Sequence, residues 1–403
     1  MKKILIAILI LSGFSGILAQ ENIKFSAQIR PRFEVDNKDF KSSTRANTFT
    51  ALRTRLGLSF APSKNLSGFI QAQDSRIYGE ETSTTANMKN LDIHQAFFKI
   101  ENLFDLPFDI KLGRFEAIYG SERFIGSVNW NNVGRSFDGG VISYKGNKIN
   151  IDILLAREFE KFLPGDSTDQ NIYALFIDMN LLPSYKIQPF IIMQRMQPTN
   201  VLSRTTLGVN VKGNLNKFNH EIDFGYQLGT ITSGGREQDI SAYTFSFNGE
   251  YNFDGEIKPT LGAQIDIASG DNKSIDNNYN AYTSLYGSGH KFFGYMDYFV
   301  NFPNDTYGLG IIDIVGKIGI TPINDLKLNL NFHLFNSMKD YILLNGTKTN
   351  SFGTEIDLVG SYKYNSNVTF EGGASFFSAG EIFKEKRGKD AASWFYLMAV
   401  VNF

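Results

Sequence analysis

Alternation with a period of two residues constrains this chain more than any other feature. Ile257, Pro259, Leu261, Ala263, Ile265 and Ile267 share one face, and Lys258, Thr260, Gly262, Gln264 and Asp266 share the other. Leu326, Leu328, Leu330, Phe332 and Leu334 alternate with Lys327, Asn329, Asn331 and His333. The pattern returns at Thr205, Leu207, Val209 and Val211, set against Arg204, Thr206, Gly208, Asn210 and Lys212. Successive side chains of a strand point to opposite faces, so each segment reads as a strand with one apolar and one polar or charged side. A soluble sandwich would turn the polar side outward. A transmembrane barrel turns the apolar side to lipid and the polar side to an enclosed aqueous bore.

The spacing of the strands favours the barrel. Short turns are expected at residues 61–65, 146–148, 214–217, 321–325 and 365–367, and long polar loops at 32–47, 78–90, 116–135, 269–307, 337–351 and 378–391. Short turns at one end and long loops at the other are the arrangement of outer-membrane barrels. The chain finishes on Phe395, Leu397, Ala399, Val401 and Phe403, an alternating strand with a terminal Phe. That ending resembles the signal such barrels present to the barrel assembly machinery. With 36 Phe, 18 Tyr and 37 Gly but no linker or low-complexity break, one large closed sheet accounts for the whole mature chain. The expectation is an all-β, transmembrane, antiparallel up-and-down barrel of about 18 strands, wide enough to leave a water-filled channel. An even strand number would put both termini on the periplasmic side.

The N-terminus supplies the route. Lys2 and Lys3 precede an apolar run over residues 4–11, which drifts to small residues and ends in Ala19 before Gln20. This run is too short for a membrane-spanning helix and reads as a cleaved signal peptide over 1–19, leaving the barrel at 20–403. The absence of cysteine excludes disulfide frameworks, thiolate nucleophiles and Cys-based zinc sites. A formal charge of −1 gives no general pull toward nucleic acid, so any charge selectivity must be local. His94, His220, His290 and His333 lie far apart without metal-ligand spacing, and there is no Gly-x-Ser-x-Gly elbow. Neither an enzyme, a metal site nor a cofactor is expected.

Leu112-Gly113-Arg114-Phe115-Glu116-Ala117-Ile118-Tyr119-Gly120 is followed by Arg123-Phe124-Ile125-Gly126 and then by Trp130-Asn131-Asn132-Val133-Gly134-Arg135-Ser136-Phe137-Asp138-Gly139. This block resembles the alginate export family of outer-membrane barrels. Gln71-Ala72-Gln73-Asp74-Ser75-Arg76, Asp266-Ile267-Ala268-Ser269-Gly270-Asp271 and Phe293-Gly294-Tyr295-Met296-Asp297-Tyr298-Phe299 are similar to further pieces of that family. The resemblance runs from Gln28 to Phe403. It implies an eighteen-stranded channel in the outer membrane passing an anionic polysaccharide, with lipid and lipopolysaccharide around it and periplasmic export partners below. A porin for uptake of small solutes is the alternative.

An acidic polymer calls for fixed cations, and the planar fork of arginine suits a carboxylate. Arg30 and Arg32 share the polar face of the first strand, and Arg53 and Arg55 that of the second. These four are the expected anion-attracting wall. Arg114, Arg123, Trp130, Arg135 and Asp138 belong to the family-like block and are candidates for the loop or a constriction, with Arg114 ending an outward-pointing parity above the bilayer and Asp138 as an ion-pair partner. The competing reading is that lumen charges merely pair, because Glu221, Asp223, Asp266, Asp313, Glu355, Asp357 and Glu371 supply an acidic set on later strands. Aromatic residues crowd the expected loops, among them Trp130, Tyr286, Phe292 and Tyr295, either to guide sugar rings or to pack loop on loop.

Overall fold

The computed structural model describes residues 22–81, 83–85, 90–160, 169–197, 201–233, 235–272 and 276–403. Segment 1–19, expected from the sequence to be a signal peptide, lies outside them. The strands are β1 (Ile23–Asn37), β2 (Asn47–Ser63), β3 (Leu66–Ile77), β4 (Leu91–Ile100), β5 (Phe108–Phe115), β6 (Phe137–Lys145), β7 (Ile149–Phe159), β8 (Asp169–Leu182) and β9 (Tyr185–Gln197). They continue with β10 (Leu202–Leu215), β11 (Phe218–Ser233), β12 (Arg236–Asn252), β13 (Thr260–Ala268), β14 (Asn278–Tyr279), β15 (Ile311–Ile323), β16 (Leu326–Ile342), β17 (Lys348–Lys363), β18 (Val368–Ala379) and β19 (Ala392–Asn402). The two-residue β14 runs parallel to β12, with Asp239 opposite Asn278. The other eighteen form an antiparallel ring in sequence order, closed where β1 pairs with β19 from Gln28↔Asn402 to Asn37↔Ser393. Phe403 donates its amide to Ala27 O at 2.9 Å, so both ends of the barrel chain meet at one rim. That rim also carries the tight turns, such as residues 64–65, 146–148 and 324–325.

The outward parity follows the sequence pattern. Leu207 is 42% exposed, Leu261 56% and Leu330 40%, whereas Arg204, one strand position away from the lipid face, is 4% exposed. Several boundaries move. β1 runs on to Asn37, so the loop expected at 32–47 spans only 38–46. The turn between β12 and β13 takes in Ile257, Lys258 and Pro259, because Gly255 and Lys258 adopt left-handed backbone there. The expected long loop at 337–351 shrinks to residues 343–347, because β16 and β17 continue past the rim as a ribbon interrupted by bulges.

The inner face departs further from expectation: it is not hydrophilic throughout. Toward the loop rim, Leu154, Ala156, Ile172, Ala174, Phe176, Phe190 and Ile192 of β7, β8 and β9 point inward and are buried. Phe335, Phe352, Phe377, Trp394 and Tyr396 do the same on β16 to β19. They are covered by residues 116–136 and 276–310, which fold into the barrel and bring Phe124, Ile125, Tyr286, Phe293, Met296, Tyr298 and Phe299 with them. A short helix α1 (Glu381–Lys386) adds Ile382 and Phe383 to the same core. The runs Ile151–Ile153–Leu154–Leu155 and Phe190–Ile191–Ile192 are apolar on both faces for this reason: lipid lies outside and an inserted loop inside. The loop half of the barrel is thus a packed interior, while the turn half keeps a polar inner wall.

Candidate functional site

The two inserted loops form one body. Gly126 donates to Tyr286 O, Tyr286 to Phe124 O, and Ser288 to Glu122 O, each at 2.9 Å. Arg135 reinforces this seam by donating through Nη1 to the carbonyls of Tyr286 and Gly287. Burial deprives its guanidinium of water and lowers its pKa from the usual arginine value. The Tyr286 hydroxyl donates to Glu158 and accepts from Gln194 Nε2 at 2.8 Å, tying the seam to the wall.

Arg30, Arg32, Arg53 and Arg55 all face the lumen on adjacent strands, in the register Arg30↔Arg53 and Gln28↔Arg55. The inserted loop covers them, although Arg32 also borders a cavity. Residues 129–133 lie on them, leaving exposures of 4%, 7%, 3% and 6%. Arg30 donates to the carbonyls of Asn129 (2.5 Å), Trp130 (3.2 Å) and Asn131 (3.0 Å). Arg53 donates to Asn129 O at 3.0 Å and Asn131 O at 3.2 Å, and to Gln28 Oε1 at 2.8 Å. Arg32 reaches Trp130 O at 2.6 Å and forms an ion pair with Glu34 at 2.7 Å. Arg55 binds Gln73 Oε1 at 2.6 Å and Asn129 Oδ1 at 3.0 Å, and pairs with Glu116 at 3.2 Å. Among the described residues, then, Arg30 and Arg53 are held by neutral oxygens and pair with no carboxylate. The loop segment is fastened to the wall by charge-assisted hydrogen bonds, two of the four guanidiniums having no carboxylate in contact.

Glu116 completes this patch from the loop. Burial opposes its ionisation, but the hydrogen bond with His94 (2.8 Å) and the charge of Arg55 prevail and hold its carboxyl below the usual range. Neither Glu116 nor His94 is among the site residues expected from the sequence, although Glu116 lies inside the block from Leu112 to Gly120.

The remaining candidates divide. Arg123 crosses the lumen to Asp266 at 2.8 Å and Asp223 at 3.5 Å, and its guanidinium lies 4.0 Å from the Phe292 ring centre. This pairing uses two members of the acidic set; Asp313 and Asp357 flank His333 instead, at 2.8 and 3.5 Å. Trp130 stands beneath Arg32, whose guanidinium carbon is 4.3 Å from its ring centre. Arg114 and Asp138 take no part in a constriction. They pair with each other at 2.6 Å across β5 and β6, half-exposed on the outer side, because Phe115 and Phe137 claim the inward parity beside them.

Two cavities flank the inserted loops. One, of about 680 Å³, lies toward the loop rim among Arg32, Lys38, Trp130, Arg135, His290, Asp297 and Trp394. The other, of about 250 Å³, lies against the polar wall of β13, β15 and β16, among Gln264, His290, Tyr295, Lys317, Asn331 and His333. Lysine, arginine and indole on one side, and amides with a lysine on the other, can hold an oxygen-rich acidic solute. Among the described residues, no reacting nucleophile–base pair is arranged at either.

Solved structures share this architecture, among them the outer membrane protein OprD from Pseudomonas aeruginosa. OccD3 (OpdP) of Pseudomonas aeruginosa matches with a TM-score of 0.62 at 14% identity, over 95% of this chain and 91% of its own. OprD of the same organism gives 0.63 at 10% identity, over 95% and 94%, and OpdK, solved with vanillate, 0.62 at 9%, over 94% and 98%. At such identities the likeness speaks for the fold. No curated protein matches the sequence. The sequence model of the alginate export family, in contrast, matches residues 21–396, nearly the whole chain. An outer-membrane barrel of channel type, with both loops and the Trp/Gly-Arg block in place, this chain belongs to the alginate export family.

Proposed function

We propose that the protein is a passive channel for acidic solutes, an alginate-like polysaccharide foremost, whose preference for anions originates at Arg30 and Arg53. One observation carries this reading: two guanidiniums on the lumen wall contact neutral oxygens and no carboxylate among the described residues. Because the loop covers them, they act through their field rather than by contact. Low-dielectric walls focus such a field along the bore and raise the local concentration of anions. The turn rim with both termini faces the periplasm in this reading, as in barrels generally.

Current block tests it. Alginate oligomers added to a single open channel should block the chloride current in a concentration-dependent manner, and neutral oligosaccharides of equal length should not. Equal block by both, or none by either, would overturn the proposal. A second reading, uptake of a small acidic solute, draws support from the modest cavities of about 680 and 250 Å³. In that case a monomeric uronate passes and the oligomers only plug.

A further inference from the structure

The two cavities share a single lining residue, His290. Its imidazole lies flat between two aromatic rings, with the Trp130 ring 4.1 Å away at an interplanar angle of 5° and the Tyr295 ring 4.9 Å away at 16°. Trp130 borders only the larger cavity and Tyr295 only the smaller. The three-ring stack therefore straddles the boundary between them, each outer ring facing its own side.

The stack is built to stay in place. His290 Nδ1 is 2.7 Å from Asp297 Oδ1, which fixes the ring about its own axis. Gly289 packs so closely on Val300 that an added Cβ would come within 2.9 Å of Val300 Cβ. Gly294 has a φ of +78°, and a Cβ there would meet the Glu355 carboxylate at 2.7 Å. Glu355, fully buried on β17, accepts the Met296 amide at 2.8 Å. The turn bearing His290 and Tyr295 is thus pinned to the wall at Glu355, while Trp130 is pinned by the arginines. One half of the aperture comes from each inserted loop.

We propose that His290, clamped between Trp130 and Tyr295, is the aperture of the channel and sets which solutes pass from one cavity to the other. Permeation requires a solute either to slip past the edge of the imidazole or to part the stack. A flat, ring-sized solute with hydrogen-bonding edges is favoured over a bulky apolar one, since it can replace the ring contacts it breaks. This inference rests on the channel reading above and adds the residue that determines passage.

Single-channel recording tests it. His290→Ala should raise conductance by about twofold or more, as pore width governs flux. His290→Phe keeps a ring in the stack without the Asp297 bond and should stay near the parent value. Heat-modifiable electrophoretic mobility verifies that each variant is folded. Because the chain has no cysteine, His290→Cys offers one thiol, which a methanethiosulfonate reagent should modify from either chamber with a fall in current. Unchanged conductance in folded His290→Ala, or thiol access from one chamber only, would overturn the aperture. Failure of the channel reading is separable, because it would show as loss of anion preference in the parent protein itself.

Discussion

Consider the removal of Arg30 and Arg53, singly and together, by substitution with glutamine. Asn129 O accepts from both arginines, Asn131 O accepts from both, and Trp130 O accepts from Arg30 and Arg32. Losing Arg30 alone leaves every one of these carbonyls with a donor, and the same holds for Arg53. Each single change also relieves the repulsion between two like charges. The single variants should therefore cost the loop attachment under about 1 kcal/mol, the scale of an ordinary hydrogen bond. Losing both strands Asn129 O and Asn131 O together. An unpaired buried acceptor costs about 1–3 kcal/mol, so with two of them the double variant should lose roughly 2–6 kcal/mol more than the sum of the singles. At about 1.4 kcal/mol per tenfold, the loop-open state would gain population by roughly 30-fold to 20,000-fold. Single-channel records read this as frequent excursions to a wider, noisier level, common in the double variant and rare in either single one. If the double variant shows only the product of the single effects, the shared-carbonyl clamp is wrong.

Other consequences follow from neighbouring contacts. Arg123→Met leaves Asp223 and Asp266 buried without their cation and should lower stability by about 3–5 kcal/mol, read as an earlier loss of heat-resistant mobility; adding Asp266→Asn should recover part of it. Glu355→Ala orphans the Met296 amide and should loosen the His290 turn by about 1–3 kcal/mol, seen as conductance flicker, whereas Glu355→Gln keeps an acceptor and should remain quiet. The depressed pKa of Glu116 gives the loop attachment a pH dependence. Its stabilisation is complete above the ordinary glutamate value of about 4.3 and is lost as pH falls through the lower folded value, so proteolysis of residues 116–136 should accelerate only in that acid window. Glu116→Gln should abolish the window.

The wall of the barrel was legible because lipid imposes one rule on every outward residue. Leu207, Leu261 and Leu330 announced their direction through strict alternation, and Arg30, Arg32, Arg53 and Arg55 were placed inward by the same rule. The inner face obeys no such single rule. Where an inserted loop lies against it, Phe190 and Ile192 face inward as readily as Gln264 does elsewhere, and alternation fades into a continuous apolar run. Nothing local to the sequence says that a loop enters the bore. The arginines were found, but the carbonyls that cover them come from a segment about a hundred residues away from Arg30. The aperture was hidden for the same reason, since Trp130 and His290 meet only after both loops have folded inward. The run Gly287-Ser288-Gly289-His290-Lys291-Phe292-Phe293-Gly294-Tyr295 did carry a signal, with three glycines spaced among aromatic residues as a tightly packed turn requires.

Positive charge at Arg30 and Arg53 is the point on which the transport reading turns, and the reversal potential of the purified protein in a planar bilayer under a potassium chloride gradient measures it. The parent channel should reverse on the chloride side of zero, and Arg30→Gln with Arg53→Gln should move the potential toward potassium. A parent channel that already prefers potassium, or a double variant with an unmoved potential, would contradict the account.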